Sequence, residues 1–245
     1  MQHLTMVEAR EVTSLTESEP DQKPHFLDHP DAQSAFRTVF SAMAGESDRG
    51  TVLIAAAEVD EQLRRLFEHV APDTMSATEI KRMLSYPGPL SSLAARADVA
   101  FLTRLISPTL YHAIGSLRKL RNDVAHSAEA FRLVEHGDRV RAVFELGEDL
   151  PAWINRWTLE MLVRSFVDAA LEIRDPADET KPAFATPRDA LDYLAKSADL
   201  KAILEERRPR FELAFGVSML CALVIVQRES TNRRLERPKV DAGAA

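Results

Sequence analysis

Residues 47–70 read SDRGTVLIAAAEVDEQLRRLFEHV. Val52, Ala55, Ala56, Val59, Leu63, Leu66 and Val70 recur at three- and four-residue steps, the spacing that lines one face of an α-helix. Asp48 is placed to cap the helix, and the Pro72 region ends it. Leu53 and Ile54 fall off the stripe, which predicts first turns covered on more than one side. A helix this long and this one-sided needs partners, and the flanking sequence supplies them in the same period.

Upstream, Phe36, Phe40 and Met43 repeat at helical steps until Gly45 closes a first helix. Downstream, Ser76 and Glu79 form a capping-box pattern for a short helix, and YPGPLSS, with Pro87, Gly88 and Pro89, makes a turn. LAARADVAFLTRLI is again amphipathic and stops at Ser107-Pro108. The helix PTLYHAIGSLRKLRNDVAHS follows, with its proline at a first helical position. FRLVEHGDRVRAVFEL alternates partly with period two around His136-Gly137-Asp138 and reads as a short β-hairpin. From Pro151 a long helix carries Trp153, Ile154, Trp157, Met161, Phe166 and Ala170. DPADETKPAFATP (175–187) separates off a C-terminal segment, in which RRPR predicts a break between two helices. The apolar residues from Leu213 to Val226 occupy nearly every face, the pattern of a central core helix, with a dimer interface as the alternative that residue pattern does not separate from it.

Composition agrees with an all-α bundle. The chain has 245 residues, 45% hydrophobic and 28% charged, and only 8 glycines against long runs of Ala, Leu, Arg and Glu. Residues 1–30 are polar, acidic and punctuated by Pro20, Pro24 and Pro30, and read as a disordered arm. The expected organisation is therefore an arm over 1–30 and a helical bundle over 31–175. A helical extension packs on it over 187–230, and a flexible tail covers 231–245. The N-terminus lacks the basic and apolar regions of a secretory signal. The apolar run from Leu213 to Val226 is short for a bilayer, so a cytoplasmic, non-membrane protein is expected.

The formal charge of −7 gives no global attraction for a polyanion, so any nucleic-acid contact needs a local basic patch. Arg118, Lys119, Arg121, Arg132, Arg139 and Arg141 are the one concentration of positive charge. A single cysteine, Cys221, excludes an intramolecular disulfide and a multi-cysteine zinc site. No Gly-rich phosphate loop, Ser/His/Asp arrangement or metal-spaced cluster appears, and no cofactor is implied. Glu58, Asp60 and Glu61 lie among Arg64 and Arg65 and read as a solvated helix face rather than a metal site.

The chemistry concentrates in LRKLRNDVAHS, residues 117–127. Leu110, Ile114, Leu117 and Val124 form the buried stripe of this helix, and Arg121 falls beside it. Asn122 and His126 are four apart, so the amide can orient the imidazole. Arg121 and His126 are five apart, about 140° around an ideal helix. They meet at one point only if the helix ends between them or a second copy stands opposite. The three side chains can equally bond carbonyls, cap the helix and pin the next loop. His112 points far round the helix and is expected to face solvent.

Arg-x4-His with a polar residue after the arginine resembles the HEPN superfamily motif. The ordered blocks SDRGTVLIAAAEVDEQLRRLF, GPLSSLAARADVAFLTRLIS and LRKLRNDVAHS resemble the mannitol operon repressor (MltR) family, over roughly residues 35–130. Ser91-Ser92-Leu93 stands where the family's glycine-proline-leucine block carries an aromatic. The resemblance implies a helical, HEPN-like bundle and a homodimer. It also implies a negative regulator of gene expression acting through protein or RNA contacts. No helix-turn-helix precedes a basic recognition helix, so direct reading of DNA is not expected. The HEPN side of the resemblance implies an alternative, a metal-independent endoribonuclease of the toxin or defence type. There the RNA 2′-hydroxyl attacks the adjacent phosphate, His126 acts as acid or base, Arg121 neutralises phosphate charge and Asn122 positions the histidine. A third reading is a non-catalytic helical scaffold. Asp48 and Arg49, in a distinctive block, are expected to form a cap and an internal ion pair.

Overall fold

The computed structural model describes residues 29–127, 130–176 and 178–235. Among them the chain forms nine α-helices, one 3-10 turn and a two-stranded ribbon, an all-α protein in which the ribbon is incidental. The helices are α1 (Pro30–Ala44), α2 (Asp48–Val70), α3 (Ala77–Leu84), α4 (Leu93–Leu102) and α5 (Pro108–His126). After the 3-10 turn Leu133–His136 come α6 (Gly137–Val143) and α7 (Leu150–Leu171). Strands β1 (Arg174–Asp175) and β2 (Asp178–Pro182) precede α8 (Pro187–Leu194) and α9 (Ala198–Leu235). Except for its last two residues, the arm expected over 1–30 lies outside the described residues. Of the expected tail, 231–235 continue α9 and 236–245 lie outside.

α9 runs through the middle and packs on α1, α2, α6, α7 and the 3-10 turn. From Leu213 to Ala222 every residue is buried, which is why apolar residues occupy all its faces. One helix, Ala198–Thr231, is long and apolar enough to cross a bilayer, but 72% of its apolar window is buried inside the protein. The N-terminal helix lies along it in antiparallel register. Phe36 meets Phe215 (ring centroids 6.0 Å), Phe40 meets Phe211 and Phe215 (6.3 and 4.6 Å), and Ala32 packs with Ala222 and Ile225. Elements almost two hundred residues apart thus form one seam, which joins the main core of α2, α4, α5, α6 and α7.

Two sequence expectations fail at this helix and its neighbour. RRPR does not break the chain, because α9 passes through Pro209 uninterrupted. Proline there removes a backbone bond and strains the helix by about 3 kcal/mol. Phe211, Leu213, Ala214 and Phe215, buried just beyond it, offset that loss. The interruption falls instead at Ala195–Ser197, where α8 ends. Residues 129–150 hold no hairpin among those described. Leu133, Val140, Val143 and Phe144 are buried by the 3-10 turn and the seven-residue α6, and the ribbon lies later, at 174–182.

Helix starts follow the local chemistry with one shift. The Ser76–Glu79 capping box forms, and Ser107 caps α5 ahead of Pro108. The cap of α2 is Ser47, whose Oγ accepts the Gly50 amide, so Asp48 is the first helical residue and is released for another role. Ile54 packs on the core as expected, whereas Leu53 stays exposed. Gly88 holds the turn before α4, because a Cβ there would stand 2.1 Å from the Arg82 carbonyl oxygen.

Candidate functional site

Arg121, Asn122 and His126 all lie on the last two turns of α5, and all three are exposed. Arg121 was expected beside the buried stripe. It shares an approximate face with the buried Ile114, seven residues earlier, but by the last turns the covered side has rotated to Leu120 and Val124. The helix continues unbroken to His126, so it does not end between arginine and histidine. Within one chain the two side chains diverge around the helix, and neither makes a hydrogen bond or ion pair with any described residue. Asn122 likewise makes no bond to His126, so the amide does not orient the imidazole.

The helix end is secured by other residues. Arg49 Nη2 donates to the carbonyl of Ser127, the C-cap residue, at 2.8 Å. Asp48, 7% exposed, holds the chain that follows. Its Oδ2 accepts the Leu133 amide at 2.8 Å, and its Oδ1 accepts Arg210 Nε at 2.8 Å with Nη2 at 2.7 Å. The expected internal ion pair therefore exists, but Asp48 pairs with Arg210 of α9 rather than with Arg49. A sequence reading had no local signal for a partner 162 residues away. Replacing Arg49 by alanine should fray α5 from its C-terminus and lower stability by about 1–2 kcal/mol. Faster hydrogen exchange of the Val124–Ser127 amides, with the start of α5 still protected, is the measurement that checks it.

The expected basic patch is largely neutralised. Arg118 stands 3.6 Å from Asp98, and Arg132 bonds Glu206 and lies 3.5 Å from Glu135. Arg139 pairs with Asp123, and Arg141 lies 3.9 Å from Glu145. The Arg132–Glu206 bond lowers the Glu206 carboxyl pKa and raises that of the guanidinium. Lys119 and Arg121 are left as the cations of this set without an acidic partner among the described residues. The face around Glu61 carries ion pairs from Arg64 and Arg65. Hydrogen bonding from Arg64, opposed by partial desolvation and helped by Arg65, holds its carboxyl down at about 2. Asp60 is engaged by the buried Arg96, which also donates to the Leu84 carbonyl at 2.7 Å.

His112 is exposed, as its position predicts. Near the start of α5 an open groove of about 840 Å³ is lined mainly by apolar atoms of Phe101, Leu102, Ile106 and Pro108, with Asp98 and Arg104 at its polar side. α5 has 19 residues, which places this groove roughly 28 Å from His126, too far to form one site with it. What the end of α5 presents is thus a guanidinium, an amide and an imidazole in water, on a helix held in place by Arg49 and Asp48. Such a set can engage carboxylates, carbonyls or phosphate from a second molecule. Compared with known protein families, curated proteins and solved structures, the chain matches none.

Proposed function

We propose that this protein is a regulator of the mannitol operon repressor kind, lowering expression of its targets by binding a protein partner at the exposed end of α5. It does so as a cytoplasmic homodimer and without reading DNA directly. The observation that carries the reading is the state of the motif: Arg121, Asn122 and His126 are solvent-exposed, Arg121 and His126 make no hydrogen bond or ion pair with a described residue, and the helix end is pinned by other residues. Neutralisation of Arg118, Arg132, Arg139 and Arg141 by carboxylates favours a protein partner over RNA, since phosphate binding draws on unpaired cations. Capture from a lysate pretreated with nuclease tests this. Wild type should retain a partner that the Arg121→Ala/His126→Ala variant releases at least tenfold more readily. Loss of the partner on nuclease treatment would refute protein recognition.

A metal-independent endoribonuclease is the second reading, favoured by the exposure of the His126 imidazole and the Arg121 guanidinium. It requires a second copy to set its Arg121 against the first copy's His126, because one chain holds them about 140° apart. Purified protein incubated with total RNA and EDTA decides between the two. Under the regulator reading RNA stays intact. Degradation by wild type that His126→Ala abolishes would replace that reading with the nuclease. In either case His126→Ala should melt within about 0.5 kcal/mol of wild type, because its ring makes no contact that the fold depends on. A larger loss would restore the scaffold reading.

A further inference from the structure

The open end of the seam between α1 and α9 brings together three ligand-type side chains that nothing in the local sequence joins. His29 precedes α1 and takes the N-cap position, yet its side chain caps no helical amide. The imidazole turns instead toward α9, where Nε2 meets the Glu229 carboxylate across 200 residues of sequence. The other ring nitrogen, Nδ1, is buried and has no hydrogen-bond partner among the described residues, so all of the ring's polar engagement is on the carboxylate side. Asp31, in the first turn of α1, brings a second carboxylate, and the ligand atoms of His29, Asp31 and Glu229 lie within 4.8 Å of one another. Among the described residues one cation approaches, Arg228 at 4.0 Å from Asp31.

We infer that His29, Asp31 and Glu229 form a binding site for a divalent transition-metal ion, with Zn2+ the best fit. One neutral imidazole nitrogen and two carboxylate oxygens are a ligand set suited to borderline metals. The nitrogen disfavours Mg2+ and Ca2+, which take oxygen. Donors around a tetrahedral zinc stand roughly 3.3–3.6 Å apart, at bond lengths of about 2.0–2.2 Å. The ligand atoms lie within 4.8 Å of one another, so the exposed Asp31 carboxylate swings in toward the ion while the His29–Glu229 contact, closer than two zinc donors stand, opens to admit it. The ion takes the place of the proton shared by His29 and Glu229, and water completes its shell. His29 and Asp31 belong to the start of α1 and Glu229 to α9, so binding ties the first helix to the last. The site shares no residue with the end of α5, and its test is independent of the function proposed there.

The full-length chain, stripped with EDTA and dialysed, is titrated with ZnCl2 by calorimetry, and its melting temperature is followed with and without zinc. Wild type should bind a single equivalent saturably and melt higher with it, and binding should weaken on acidification as protons compete for the imidazole. His29→Ala and Glu229→Gln should each bind at least tenfold more weakly, whereas His112→Ala, at an exposed histidine elsewhere, should match wild type. If His29→Ala unsettles the metal-free fold, Asp31→Asn supplies the same comparison from an exposed position. Absence of saturable binding, or equal affinity in wild type and in the three site variants, overturns the proposal. So does equally tight binding of Mg2+, which would leave the imidazole without a part in the site.

Discussion

Asp48→Ala should lower the stability of the protein by about 2–4 kcal/mol, the loss expected when a buried carboxylate is removed from a hydrogen-bonded charge pair whose guanidinium is partly buried. The carboxylate is almost wholly buried and uses both oxygens, one for the Leu133 amide and one for the Arg210 guanidinium. Removing it leaves a buried backbone N–H without an acceptor at the start of the 3-10 turn and deprives the partly buried Arg210 guanidinium in α9 of its hydrogen-bonded carboxylate. Asp48→Asn keeps the shape and one acceptor, so it should fall between alanine and wild type. The interaction is cooperative with Arg210, so the Asp48→Ala/Arg210→Met double variant should lose less than the sum of the two single changes. Denaturant midpoints measure all three. A loss for Asp48→Ala within about 0.5 kcal/mol, the range of an ordinary surface change, would show that the contact does not hold α9 to the bundle.

Phe144→Ala should cost about 3–5 kcal/mol through lost burial and the cavity left behind. Phe144 is 1% exposed at the end of α6, and it packs against α9 where that helix carries Gly216. A Cβ at Gly216 would stand 2.7 Å from the Cβ of Phe144, a separation that neither helix backbone can relieve by rotating a side chain. Gly216→Ala in the wild-type protein should therefore destabilise, although alanine is the better helix former by about 1 kcal/mol. In the Phe144→Ala background the ring is gone but the two Cβ atoms still meet, so Gly216→Ala should remain unfavourable by a smaller amount. In Phe144→Gly, where that Cβ is absent, Gly216→Ala should turn neutral or favourable. That reversal, followed by thermal denaturation, separates a steric role for Gly216 from a purely conformational one.

Much of the bundle is legible in the chain because its signals are local. The stripe from Val52 to Val70, the Ser76–Glu79 box, the Ser107-Pro108 start and the Gly45 stop each depend on residues within a turn or two. What failed depended on distant ones. Pro209 looks like a breaker until Phe211 and Phe215 are seen packed on Phe36 and Phe40. Residues 131–144 look partly alternating because a 3-10 turn and a seven-residue helix are too short to display a period. They hold their shape through Leu133, Val140, Val143 and Phe144 in the core and the Asp48 carboxylate on the Leu133 amide. At the end of α5 the residue types and their helical placement could be read, but their exposure could not, since a slow rotation of the covered face decides whether Arg121 is inside or out. The pairing of Asp48 with Arg210, and of His29 with Glu229, spans 162 and 200 residues and leaves no trace in either neighbourhood.

The antiparallel seam between the first and last helices has a consequence for how the protein is made. Phe36 and Phe40 leave the ribosome long before Phe211 and Phe215, and at about 5–20 residues per second the wait is on the order of 10–35 s. During that interval the apolar face of α1 lacks the helix that covers most of it, and α2, α5 and α6 lack the helix that fills the space between them. Folding to the finished core is therefore held back until the C-terminal helix has been synthesised, and the nascent chain spends that time with a phenylalanine-rich surface open to chaperones. Moving α9 ahead of α1 by circular permutation should shorten the exposure without altering a single contact of the seam.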